Sequence, residues 1–216
     1  MAIHAVGSGG LVRRTSQWLA LGAVAGPVLL VFAWVVLGLL RPDYAPMRQQ
    51  ISDLGVGANA VLMNAAFVFS GFLLLGGVVG IFQNIARDVG KKARWMCMIL
   101  LALSPLGLVI VGLFTEARST WVGHALGAVL VFQTPVVGFL ITGFVLWRRQ
   151  RWRRIGRWLL LASPLTLVLV YSLFQAVLPG AAFHVAQLGG LIERVALVEI
   201  HAWYVALGWL AFRRSV

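Results

Sequence analysis

The chain has 216 residues, 61% of them hydrophobic and 11% charged, with a mean hydropathy of +0.92. A soluble domain carries about twice that charged fraction, so the composition excludes an ordinary cytosolic enzyme, a disordered tail and a small disulfide scaffold. The net charge of +12, from 18 basic and 6 acidic residues, would suggest a nucleic-acid partner in a soluble protein. Here the basic residues fall between apolar runs, where they set membrane orientation, and nucleic acid is not expected as a partner.

A helix crosses a hydrocarbon layer of about 30 Å in about 20 residues. Six segments pass that test, near 17–40, 58–84, 95–115, 122–147, 158–178 and 190–212, so the chain is expected to be an all-α polytopic membrane protein of one six-helix domain. The first run follows Arg13 and Arg14 but is too long for a signal peptide and is taken as an uncleaved span. Arg87, Lys91, Lys92 and Arg94 follow the second span, and Arg148, Arg149, Arg151, Arg153, Arg154 and Arg157 follow the fourth. Arg213 and Arg214 close the sixth. With the N-terminal pair these make fourteen of the eighteen basic residues on one side. The positive-inside rule therefore predicts both termini in the cytoplasm and a multi-pass protein of the cytoplasmic membrane.

Arg41, Arg48 and Arg118 fall in outer loops and Arg194 within the last span. Of the acids, only Asp88 is expected inside; Asp43, Asp53, Glu116, Glu193 and Glu199 lie in outer loops or outer halves of spans. His124, His184 and His201 share that side, and His4 does not. The inner face thus reads as a basic anchor and the outer face as the seat of titratable chemistry. Cys97, the single cysteine, lies in an apolar run and serves packing.

Ser104–Val111 aligns with Ser163–Val170 at six of eight positions, and His124 then falls opposite His184. Three parallel two-helix repeats would follow, each odd-numbered span carrying a proline, Pro27, Pro105 or Pro164, near its middle. Gly22 with Gly26, and Gly76 with Gly80, form small-residue faces suited to close helix contact, within one chain or in a homo-oligomer. Asn64, Ser70, Gln133 and Gln175 are expected to hydrogen-bond between helices. Trp18, Trp95, Trp121, Trp147 and Trp158 stand near span ends as interfacial anchors.

The outer loop from Arg41 to Gly57 is too polar to insert, and Pro42 and Pro46 restrict it. Ser52 or Asp53 suits a cap on a short helix or on the second span. The Arg-Pro-x-Tyr-x-Pro-x-Arg-Gln-x-Ile-Ser-Asp-Leu-Gly pattern from Arg41 to Gly55, with His124 and the Gly190–Val195 segment, resembles the prokaryotic six-span membrane family DUF998. That resemblance covers nearly the whole chain and implies a fold and a site but no reaction. The Ser52-Asp53-Leu54-Gly55 step is also similar to damage-regulated autophagy modulator and Sfk-type membrane proteins.

Counted back from Arg213 at 1.5 Å per residue, Glu193 lies roughly 30 Å away, at the outer edge of the hydrocarbon, with Glu199 and His201 roughly 9 and 12 Å deeper. An ionised group there costs about 2.5–3.5 kcal/mol, so each needs a partner, neutrality or a wet cavity. Arg194 and His201 share a helix face, whereas Glu199 is turned roughly 140° from Arg194 and meets a different neighbour. Asp53, Glu193 and Arg194 are therefore expected as a charged core with Ser52 and His124 beside it, open to the outer face and binding, sensing or transferring a lipid headgroup or small amphiphile. Pairing of Glu193 and Arg194 with Asp53 or Glu116 is the structural alternative. No cofactor is required by this reading, and membrane lipids are its partners.

Two other readings stay open. His124, His184 and His201, with Ser52 and Asp53, are similar in residue types to ceramidase-like membrane hydrolases and would bind Zn, with Asp53 or Glu199 as general base. Glu199 and His201 would instead relay protons in a transporter, although the inner halves of the spans show little polarity.

Overall fold

The computed structural model describes residues 15–85, 88–117 and 119–214. His4, Arg13, Arg14, Arg87 and Arg118 lie outside them. Six long helices carry the fold: α1 (Thr15–Leu40), α2 (Ala60–Asn84), α3 (Lys91–Leu113), α4 (Trp121–Trp147), α5 (Arg153–Val177) and α6 (Gly189–Arg214). All are long and apolar enough to cross a membrane. Consecutive helices pack as antiparallel neighbours, and α6 closes the ring by packing on α1 and α5 while also touching α2 and α4.

The helices α3 and α5 begin earlier than hydropathy predicts. Lys91, Lys92 and Arg94 are inside the first turns of α3, and Arg153, Arg154 and Arg157 inside those of α5. Backbone hydrogen bonding continues past the apolar stretch because long basic side chains reach water from a helix end.

Close packing comes from small residues. A side chain at Gly22 would strike the backbone of Leu73, and one at Gly77 or Gly80 would strike the backbone of α1 near Ala20 and Ala23. The α1–α2 seam thus uses Gly77 with Gly80, while Gly76 has open space around it apart from Leu19. Prolines are not confined to odd-numbered spans, since Pro135 sits inside α4. Each proline deprives the carbonyl four residues earlier of its donor. Two of those carbonyls are served from another helix: Tyr204 Oη donates to Leu101 O at 2.7 Å, opposite Pro105, and Ser104 Oγ donates to Val131 O at 2.9 Å, opposite Pro135. The other Ser-Pro serine, Ser163, donates to Val136 O at 2.8 Å, so α4 is tied from both sides. Ser70 Oγ ties α2 to Gly26 O of α1 at 2.8 Å.

One end of the bundle carries the connections 41–59, 114–120 and 178–188, and is called the loop end below. The opposite end carries the described clusters of Lys and Arg, with Asp88 held by Trp152 Nε1 at 2.7 Å and by Arg151 at 3.7 Å.

Candidate functional site

The loop from Arg41 to Gly57 is folded tightly on the bundle, and its polar groups explain its composition. Arg41 Nη1 donates to Asp53 O and Val56 O, both at 2.9 Å, closing one half. Tyr44 Oη donates to Gln50 O at 2.7 Å, and the Gln49 side chain accepts from Ala45 N–H at 2.6 Å. A one-turn 3-10 helix, Ser52–Gly55, follows. The Asp53 carboxylate turns back to accept from Gln50 N–H at 2.7 Å rather than capping α2, whose cap residue is Asn59 in the left-handed region. Asn64 of α2 donates to Gly55 O at 3.0 Å.

The first two turns of α6 seat this loop. Gly190 N–H donates to Arg48 O at 3.2 Å and Leu191 N–H to Met47 O at 3.1 Å, so loop carbonyls satisfy donors that a helix start leaves free. A side chain at Gly190 would strike Pro46 O and Gln49 O, which is why a glycine stands there. Arg194 Nη1 donates to Pro46 O at 2.7 Å, Gln49 O at 3.0 Å and Gly190 O at 2.7 Å, while Nη2 donates to Tyr44 Oη. Its guanidinium also lies over the Tyr44 ring, 5.4 Å from the centroid. Burial pushes the Tyr44 phenol up to about 12 despite that guanidinium. Glu193, itself buried, accepts from Ile51 N–H at 2.5 Å.

Beside this seat lies a second cluster. Ser52 Oγ donates to Glu116 Oε1 at 2.8 Å, and His124 Nε2 stands 3.3 Å from the same oxygen. His124 Nδ1 faces Phe114 O at 2.9 Å, so it carries a hydrogen, and the Nε2–Oε1 contact then requires one more proton on imidazole or carboxyl. Burial pushes the Glu116 carboxyl up, but its bonds to His124 and Ser52 outweigh that and hold it below the usual carboxylate range. Asp53 moves the other way, raised by burial and then by the neighbouring Glu116 charge.

These residues form the polar end of a cavity of about 360 Å³. Gln50, Ser52, Glu116, His124 and Glu193 line that end; Phe67, Leu108, Val111 and Leu197 line its inner side, and Ala128, Phe132, Val170, Leu173, Phe174 and Val177 of α4 and α5 its outer side. Phe174 and Val177 are exposed on the bundle surface, so the apolar part reaches the lipid-facing side of α5.

Of the residues singled out from sequence, Ser52, His124 and Glu193 therefore meet at one cavity, while Asp53 and Arg194 stand behind it and hold the loop. Arg194 has no carboxylate within 4.0 Å among the described residues, so it is paired with neither Asp53 nor Glu116. Gln50 and Glu116 complete the polar wall; the sequence offers Glu116 only as an outer acid and a pairing partner for Glu193 or Arg194. Gln133 lines the cavity, Asn64 bonds the loop, and Gln175 bonds Tyr171 of its own helix at 3.1 Å, so none of the three joins two spans.

The three histidines do not converge. His184 is exposed in the α5–α6 connection, its Nδ1 donating to Ala176 O at 3.1 Å, and His201 is buried within α6. No group of three His, Cys, Asp or Glu is placed to hold a metal ion among the described residues. Glu199 meets a different neighbour from Arg194, facing α5 and accepting from Thr166 Oγ1 at 3.0 Å and, within its own helix, from Trp203 Nε1 at 2.7 Å.

A six-helix membrane-spanning bundle with a folded loop seated on its last helix defines the class of protein. The chain belongs to the DUF998 family: the family model described as "Protein of unknown function (DUF998)" matches residues 24–210. Neither a curated protein nor a solved structure matches the chain.

Proposed function

We propose that the protein binds a lipid headgroup or small amphiphile drawn from the outer leaflet of the cytoplasmic membrane, as the binding step of sensing or transfer. The head is held among Gln50, Ser52, Glu116, His124 and Glu193, and the tail lies along α4 and α5. Asp53 and Arg194 position the loop that closes this end. The observation that carries the reading is the division of the cavity wall, polar where the loop meets α6 and apolar toward the surface of α5. A volume of about 360 Å³ falls within the ~300–1,000 Å³ of small-molecule sites. The basic end is assigned to the cytoplasm by the positive-inside rule.

Native mass spectrometry of protein extracted in a mild detergent tests this. Wild type retains a bound lipid or amphiphile, and Ala128→Phe, which fills the apolar part, loses it; retention in that variant rejects the site. Cys97 is buried and is the single cysteine in the chain. A cysteine at exposed Asp43 therefore gives a clean label, reacting with a membrane-impermeant maleimide from outside intact cells, and protection there reverses the orientation.

A further inference from the structure

We infer that the head accepted by this cavity is cationic, a protonated amine, and that anionic phosphate or carboxylate heads are rejected. The inference rests on the amphiphile-binding reading and adds the charge of the ligand.

Arg194 stands next to Glu193 in sequence, and an arginine at headgroup depth ordinarily signals a phosphate partner. Its geometry removes that role. Nη1 is spent on three backbone carbonyls and Nη2 on the Tyr44 hydroxyl. Arg41 is likewise spent on Asp53 O and Val56 O. Neither residue lines the cavity, and among the described residues no Lys or Arg does. The charged groups on its wall, among the described residues, are two carboxyls, Glu116 and Glu193, and one imidazole already engaged by Glu116 and Phe114 O.

Glu193 is the sharper of the two. It is 7% exposed, and only its Oε2 has a hydrogen-bond partner, Ile51 N–H, among the described residues. The other oxygen belongs to a residue on the cavity wall and has no donor among the described residues. A carboxylate desolvated to this extent without a counter-ion is stable only if it is neutralised or paired. A protonated amine entering the polar end supplies both the missing donor and the missing charge. A phosphate would set like charge against two carboxyls in a low-dielectric site.

Two exposed basic side chains, Arg48 and His184, line a neighbouring cleft that shares Gln50 and Val177 with this cavity. An anionic head would be drawn there, outside the acid-walled end.

The test uses wild-type protein in phosphatidylcholine nanodiscs, with empty discs as the partition control. Radiolabelled dodecylamine, dodecanol and dodecyl phosphate share one tail and differ in head charge. Dodecylamine is expected to bind at least about tenfold more tightly than dodecyl phosphate, a difference that one ion pair readily supplies. Glu193→Gln is expected to bring the amine down to the level of dodecanol, and Glu116→Gln gives a second reading should the first variant fail to fold. Equal or tighter binding of dodecyl phosphate overturns the inference, and its loss in Arg48→Ala would place the anion in the neighbouring cleft. Saturable binding of dodecanol alone also overturns the charge assignment while leaving the amphiphile site standing. If none of the three binds saturably, the amphiphile reading fails with it.

Discussion

Two carboxylates on α6, Glu193 and Glu199, sit six residues apart and meet opposite fates. Glu199 lies between α5 and α6 with Thr166 and Trp203 both donating to it, and it does not line the cavity at the loop end. Glu193 has one donor, one spare oxygen and a cavity of about 360 Å³ in front of it. Both are ionisable residues at membrane depth, the usual flag for function. What separates them is unspent hydrogen-bonding capacity facing open space. The same contrast sets Arg41 and Arg194 apart from Glu193, since both arginines are engaged by the loop, chiefly by its backbone carbonyls, and belong to the scaffold.

The largest effect should come from breaking the scaffold side. Arg194→Met strands the carbonyls of Pro46 and Gln49 and frees Tyr44, and a cost of about 3 kcal/mol is expected from losing charge-assisted bonds to partly buried acceptors. Arg194→Lys should not recover it, because an ammonium cannot span the same fork of acceptors. Detergent-titrated unfolding in mixed micelles reads this directly. A loss under about 0.5 kcal/mol would mean that α6 does not seat the loop through this residue.

His201 offers a test of opposite sign. Both ring nitrogens are buried without a hydrogen-bond partner among the described residues. His201→Leu removes two unsatisfied polar atoms at little change in bulk, and unfolding should become harder by about 1–2 kcal/mol. Destabilisation instead would reveal that the imidazole is bonded to an internal water, and would move it from the scaffold to the functional side of the comparison.

A third effect is read from pH. Glu116 is held below its ordinary 4.5, so the folded state favours its ionised form, and stability falls as pH drops through the range below that value. Asp53 is raised above its ordinary 3.8, so the folded state favours its protonated form, and stability rises as pH falls toward that value. Wild type should therefore gain slightly on mild acidification and then lose stability as Glu116 protonates. Glu116→Gln should flatten both limbs, because it removes one titration and also one cause of the other. An acid limb unchanged in that variant would show that Ser52 and His124 do not stabilise the ionised carboxyl.

The six spans were legible because a membrane helix must be long and apolar whatever its neighbours, a constraint written locally in the chain. The early starts of α3 and α5 were not, since hydropathy rejects Lys91 or Arg153 while helix geometry accepts them. Ser52, His124 and Glu193 could be placed at one end from depth alone. That Arg194 turns away from them could not, because its direction depends on loop carbonyls at Pro46 and Gln49, and no side-chain pattern encodes where a carbonyl points. The place of Glu116 on the cavity wall was not legible for a related reason: it acts through Ser52 and His124, from which the sequence separates it by 64 residues on one side and by the 114–120 connection on the other.

The smallest expected effect is at Glu199, and it is the one that bears most directly on the comparison. Glu199→Gln keeps an acceptor for Thr166 and Trp203 and removes only the charge. Losing a charge-assisted bond costs stability, whereas no longer burying a carboxylate within the membrane returns some of it, and the two terms are of similar size. Unfolding should therefore move by less than about 1 kcal/mol, and binding of an amphiphile at the loop end should not change at all, since Thr166 and Trp203 lie apart from the cavity wall. Weakened binding in Glu199→Gln, with unfolding unaltered, would mean that the two acids of α6 act on one ligand or one proton. The distinction between a saturated carboxylate and a spare one would then no longer separate scaffold from site.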